Sequence, residues 1–169
     1  CRPARVVILN DSSVARGGAT GLALLSARLL HQAGCEVHFI SGDTGDEHTL
    51  AAQGITLHAL GGALLLDRPK FAAATEGLYN RRLRDRVAQI IAQLDGQDTV
   101  YHLHGWSRIL TPAVFDALKP MAQRVFVHAH DYHLTCPNGG NFNFQTDQIC
   151  QQPPLSMGCL GTRCDKRSS

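Results

Sequence analysis

Two short stretches, His102-Leu103-His104-Gly105-Trp106 and His128-Ala129-His130-Asp131, place histidine and aspartate where apolar runs come to an end. A histidine in such a position can serve as acid, base or hydrogen-bond partner to a hydroxyl, because its pKa lies near neutrality. Taken singly, a histidine of this kind is more often a structural residue. Its recurrence at two neighbouring strand ends points to function and makes His104, His130 and Asp131 the leading candidates. His102, His128 and His133 rank below them, with strand alternation expected to turn His102 away from His104 and His128 away from His130.

Arg16-Gly17-Gly18 opens a helical stretch. Side-chain-free backbone there lets a phosphate approach the unpaired N–H groups at the positive end of the helix, and Arg16 adds charge. The same glycines serve equally well for a tight turn and close helix packing. A full GxGxxG fingerprint is absent, and so is a Walker A loop, which argues against an ordinary NAD enzyme or P-loop ATPase.

Cysteine forms a third constellation, Cys136-x13-Cys150-x8-Cys159-x4-Cys164. Four thiolates can close a tetrahedral zinc site, and a loop-rich segment with little core gains most from one. No CxxC pair is present, so free thiols, or a site completed by residues outside this chain, are equal alternatives.

The elements that must position these groups alternate. Apolar runs at Arg5–Asn10, Val37–Ile40, Ile55–Ala59, Val100–His104 and Arg124–His128 read as strands, and residues 18–34, 70–94 and 112–118 read as helices between them. Leu22, Leu25, Leu29 and Leu30 share one stripe of the first helix, which Gly34 stops. Such alternation predicts a Rossmann-like α/β fold, a parallel sheet with helices on both faces. Ligands of such sheets bind beyond the carboxyl ends of the strands, where the glycines and histidines fall. The regular pattern fails after Asp131, so residues 1–135 are expected to form the layered domain and residues 136–169 an irregular cysteine-containing tail.

Composition narrows the classes. The 169 residues are 44% apolar and 18% charged, as in an ordinary folded domain, and the formal charge of +2 argues against a nucleic-acid partner. No apolar run approaches a membrane span and no signal segment opens the chain, so the expected location is cytoplasmic. Arg81, Arg82, Arg84 and Arg86 are candidates for peripheral contact with acidic lipid or an acidic partner. Asp85 interrupts them, which favours a solvated helix face. Beginning at Cys1, with a strand almost at once, the sequence is expected to be a piece of a longer chain.

Gly17-Gly18-Ala19 before a leucine-rich helix, Ala33-Gly34-Cys35-Glu36-Val37 before the second strand, His102-Leu103-His104-Gly105-Trp106, and His130-Asp131-Tyr132-His133-Leu134-Thr135-Cys136-Pro137 together resemble the N-terminal half of family-4 GT-B glycosyltransferases. The resemblance spans nearly the whole chain. It implies the acceptor-binding half of an enzyme with two Rossmann-like domains, carrying out retaining hexosyl transfer from a nucleotide-sugar donor to a sugar, glycan or lipid acceptor. It implies that Gly17 and Gly18, with Arg16, approach the donor diphosphate and that His130 lies near the transferred sugar. His104, Trp106 and Asp131 would line the acceptor side. No catalytic cofactor is implied, and a zinc in the tail would be structural. The acidic and basic donor-site residues of the family's second domain have no counterpart here, so the chain alone is expected to be inactive. Two other readings are open: a stand-alone Rossmann-like ligand-binding module, and a metal- or redox-sensing domain centred on the cysteines.

Overall fold

The computed structural model describes residues 3–15, 17–64 and 79–165. The chain forms two compact units, Cys1–His128 and Ala129–Ser169. The sheet's hydrogen bonding runs to His128, whose N–H donates to the Leu103 carbonyl.

In the first unit, β1 (Arg5–Asn10) leads to α1 (Gly18–Gln32), β2 (Glu36–Ser41), α2 (Glu47–Ala51) and β3 (Thr56–Ala59). Then come α3 (Arg81–Leu94), β4 (Thr99–Leu103), α4 (Ala113–Leu118), a 3-10 turn (Lys119–Arg124) and β5 (Val125–Val127). The five strands pair in parallel in the order β3-β2-β1-β4-β5. Direction of travel therefore reverses between β1 and β4, which makes that junction the topological switch point of a Rossmann-like sheet.

Val6, Val7, Ile8 and Leu9 of the central strand are fully buried because both faces of the sheet are covered. On one face, Val7, Leu9, Tyr101 and Leu103 pack against Leu83, Val87 and Ile91 of α3 and against Val114 and Leu118 of α4. On the other, Val6, Ile8, Val37 and Phe39 pack against Ala23 and Ala27 of α1 and Leu50 of α2.

The helix ends follow local chemistry. Gly34, at φ 83°, stops α1, and the Cys35 N–H returns to the Leu30 carbonyl. Asn80 caps α3 by accepting the Leu83 N–H at 3.1 Å. The helix expected over residues 70–94 therefore begins at Arg81. The part of that expectation covering Phe71 and Leu78 lies outside the described residues.

The leucine stripe of α1 is a correction. Leu22, Leu25 and Leu29 are 52%, 41% and 54% exposed, while Ala23 and Ala27 are buried, with Leu24 and Leu30 partly so. A helix lying close on a sheet needs small residues at the contact, and alanine fits where leucine would hold the helix away.

The second unit is loop-rich. It holds a two-residue antiparallel pair, β6 (Phe142–Asn143) and β7 (Gln148–Ile149), and a short helix, α5 (Met157–Gly161), capped by Ser156. Among the described residues, no helix of either unit is long and apolar enough to cross a membrane.

Candidate functional site

The carboxyl edge of the first unit is built around Asn10, at the end of β1. Its side-chain amide donates to the Ser12 carbonyl at 2.6 Å and to Thr20 Oγ1 at 3.2 Å, and its Oδ1 accepts the Gly105 N–H at 2.7 Å. One buried side chain thus joins the first turn of α1 to the turn after β4. A Cβ at Gly105 would stand 2.7 Å from Asn10 Oδ1, so glycine is required there for the two segments to meet.

Two carboxylates hold the loops of this edge. Asp11 accepts the N–H groups of Arg108, Ile109 and Leu110, each at 2.9 Å, and fixes the segment between β4 and α4. Burial pushes its carboxyl above the usual range, against the pull of those donors and of the Arg108 charge. Asp43, after β2, accepts Ser12 Oγ at 2.7 Å, the Ser13 N–H at 3.0 Å and Ser13 Oγ at 3.1 Å. Partial burial would raise the Asp43 carboxyl, but those bonds together outweigh it and hold it below the ordinary value. Asp11 opens the polar segment after the first strand, but neither it nor Asp43 stands out in the sequence as an anchor of these loops. Each is followed or preceded by polar loop residues, a pattern too common to single them out.

The loop so anchored delivers Gly17 and Gly18 to the start of α1, where no side chain caps the helix. Gly17 is extended, at φ 165°, a backbone any residue adopts. A Cβ at Gly17 or at Gly18 would meet nothing within 4 Å. The alternative that these glycines serve a tight turn or close packing thus has no contact behind it. Arg16 lies outside the described residues.

His104 follows β4, its N–H donating to the Leu9 carbonyl at 2.9 Å, and the residue is only 3% exposed. That ring stacks on His128, with centroids 4.0 Å apart and planes within 8°. His102 Nδ1 lies 3.2 Å from His128 Nε2. Partial burial, and then the neighbouring His128, push the His102 imidazole below its ordinary pKa.

The three rings meet for a reason that overturns the alternation argument against His102. Residues two apart on a strand face the same side, so His102 and His104 share a face. The parallel register sets His102 beside Phe126 and Leu103 beside Val127, and one further step sets His104 beside His128. Among the described residues, only His102, His104 and His128 bring three metal-ligating atoms within 4.8 Å of one another.

Trp106 packs edge-on against Phe115, with centroids 5.0 Å apart, and leans on the hydrophobic core. Its ring is engaged in packing. Of the arginines on α3, Arg84 pairs with Asp85 and donates to Tyr79 Oη, and Arg86 donates to the Leu60 carbonyl. Arg81 and Arg82 are exposed.

In the second unit, Asp131 Oδ1 accepts the His133 N–H at 3.0 Å, and Asp131 Oδ2 lies 2.8 Å from His133 Nδ1. Gly139, at φ 70°, lies so close to the His133 ring that a Cβ would collide with it, and its carbonyl accepts the Tyr132 N–H. The Pro137-Asn138-Gly139-Gly140 turn therefore closes over His133, which makes His133 the partner of Asp131. His130, next to this pair in sequence, is half-buried.

The cysteines of this unit, Cys136, Cys150, Cys159 and Cys164, are all thiols, and no three of them lie within mutual ligating distance. Cys164 Sγ accepts from Asn138 Nδ2 at 3.6 Å, while the N–H of Cys136 bonds to Tyr132 and that of Cys159 to Ser156. The backbones around the thiols are tied to loop partners. No closed four-thiolate cage is formed.

Neither a family model, nor a curated protein, nor a solved structure matches this chain.

Proposed function

We propose that the chain is the acceptor-side half of a nucleotide-sugar-dependent glycosyltransferase of GT-B type. The observation that carries the reading is the glycine pair at the switch point. Gly17 and Gly18 open a helix of 15 residues at the carboxyl edge of a parallel sheet, with neither a packing contact nor a left-handed backbone to account for glycine. What remains is room for a ligand to approach the backbone N–H groups at a helix N-terminus, where negative charge is stabilised.

Transfer of a sugar from a nucleotide breaks the bond between the anomeric carbon and the diphosphate oxygen. Negative charge grows on the diphosphate and positive charge on the sugar. Fixed N–H dipoles act on the first without having to reorganise, and a histidine can serve the acceptor hydroxyl as base or hydrogen-bond partner. In this proposal Gly17 and Gly18 serve the diphosphate; the resemblance alone gives His130 its role at the reacting sugar. Asp131 acts through its hold on the loop at His133. A second domain supplies most of the nucleotide contacts.

The test is transfer from a panel of UDP-, GDP- and ADP-linked sugars, by this chain alone and by the product of its complete reading frame. The 169 residues alone are expected to show no turnover, and the complete product is expected to transfer. Gly18→Val in the complete product is expected to reduce kcat at least ~100-fold, the scale of losing one oxyanion-type donor, without lowering the melting temperature. Absence of transfer by the complete product overturns the proposal, and so does full activity of Gly18→Val.

A further inference from the structure

His104 stands in a group with His102 and His128, two residues to which the transferase reading gives no role. The group's backbone positions are set by the β4–β5 register and by the bonds from His104 N–H to Leu9 and from His128 N–H to Leu103, so the three rings stand together before any ligand arrives. Two nitrogens bound at ~2.05 Å to a tetrahedral ion are about 3.3 Å apart. His102 Nδ1 and His128 Nε2 already lie 3.2 Å apart. The third nitrogen belongs to His104: one nitrogen of each ring lies within 4.8 Å of the other two. Because the His104 ring is stacked on His128, one of the two rings must turn about its side-chain bonds for both in-plane lone pairs to face one ion.

The donor chemistry selects the class of ion. Three imidazoles with no carboxylate are poor ligands for calcium or magnesium, which take oxygen, and suit zinc and its neighbours in the first transition row. Three protein ligands leave a fourth tetrahedral position for water or a small ligand. His104 is covered while His102 and His128 are partly open, so the group has a buried floor and an accessible side.

We propose that His102, His104 and His128 bind one divalent transition-metal ion of the zinc class. The site is distinct from the cysteines of residues 129–169 and does not depend on the transferase reading. The competing account of the same contacts is a hydrogen bond between two neutral rings, His102 and His128, that has no affinity for metal.

The experiment titrates Zn2+ alone into the metal-stripped 169-residue protein by calorimetry and records the absorption of the Co2+ form. It is repeated with His102→Gln, His128→Gln and the combined variant Cys136→Ser, Cys150→Ser, Cys159→Ser, Cys164→Ser. One equivalent is expected to bind, and to bind equally in the serine variant. Each glutamine variant is expected to bind more than ~100-fold more weakly, beyond what loss of an outer-shell partner costs. The Co2+ form should lack a near-ultraviolet thiolate band. Melting curves without metal show whether each variant folds. If one does not, the histidine ring resonances of the unsubstituted protein decide, since Zn2+ must shift those of these three residues. Overturning results are no binding, binding unchanged in both glutamine variants, loss of binding in a folded serine variant, or Zn2+ shifts confined to other histidines.

Discussion

Asp11 receives three successive backbone N–H groups, from Arg108, Ile109 and Leu110, at a position 7% exposed. Without the carboxylate those donors lose their acceptor where little water can replace it, and each such loss costs on the order of 1–3 kcal/mol. Asp11→Ala is therefore expected to destabilise the protein by about 3 kcal/mol or more. Asp11→Asn keeps one carbonyl oxygen for the two bonds at Oδ1 and should lose clearly less. Urea midpoints rank the two, and an alanine variant as stable as the parent would show that the turn after β4 does not rely on this residue. Asn10 and Asp43 act on the same edge in the same way, each spending several bonds on neighbouring backbone. At the scale of single residues the edge is rigid because its polar side chains are committed to its loops.

Helix α1 separates apolar periodicity from burial. Its exposed leucines and its buried alanines both recur at helical spacing, and only contact with Val6, Ile8 and Phe39 decides which row is inside. Leu29→Gln preserves helix propensity and is expected to change stability by no more than about 0.5 kcal/mol. Ala27→Leu forces a larger side chain into the contact with the sheet and is expected to cost about 1–3 kcal/mol. Thermal melting distinguishes the two, and the opposite ranking would mean that the leucine row is the packed one. The sequence made this element legible as a helix with its stop at Gly34. It left the buried face unreadable, because leucine and alanine differ in how near they let a helix approach a sheet, and that distance is set by the sheet.

Across the whole molecule, acid stability has a histidine component as well as a carboxylate one. His58 Nε2 lies 3.0 Å from His38 Nδ1, and His38 Nε2 lies 2.9 Å from Glu36, which pairs with Arg5 at 2.8 Å. Burial, and then the charge of His38, push His58 below its ordinary value of 6.5. The folded protein therefore disfavours the proton that the unfolded chain accepts. The stabilisation is complete above 6.5 and is lost as pH falls from there toward the lower folded value. The lowered carboxyls of Glu36, Asp43 and Asp95 add a separate loss at more acid pH, below their ordinary values of 4.5 and 3.8. His58→Gln is expected to reduce the upper limb of the stability profile, to which the lowered His102 also contributes, and leave the lower limb in place. Unfolding free energy measured from about pH 7.5 to pH 3 would show this. An unchanged upper limb would assign it to another group.

The alternating apolar runs by themselves determined the layered α/β architecture, since a buried parallel strand and an amphipathic crossover helix each carry a local period. They also brought the glycine pair and His104 to one edge, because every carboxyl end of a parallel sheet points the same way. Only the tertiary structure decided that His102 joins His104 and His128, that Trp106 packs inward, and that Asp131 belongs with His133. Those outcomes depend on which strands become neighbours, at what register, and on how a glycine turn folds back. None of these is a property of a short stretch of chain, since each arises from contacts between residues far apart along it.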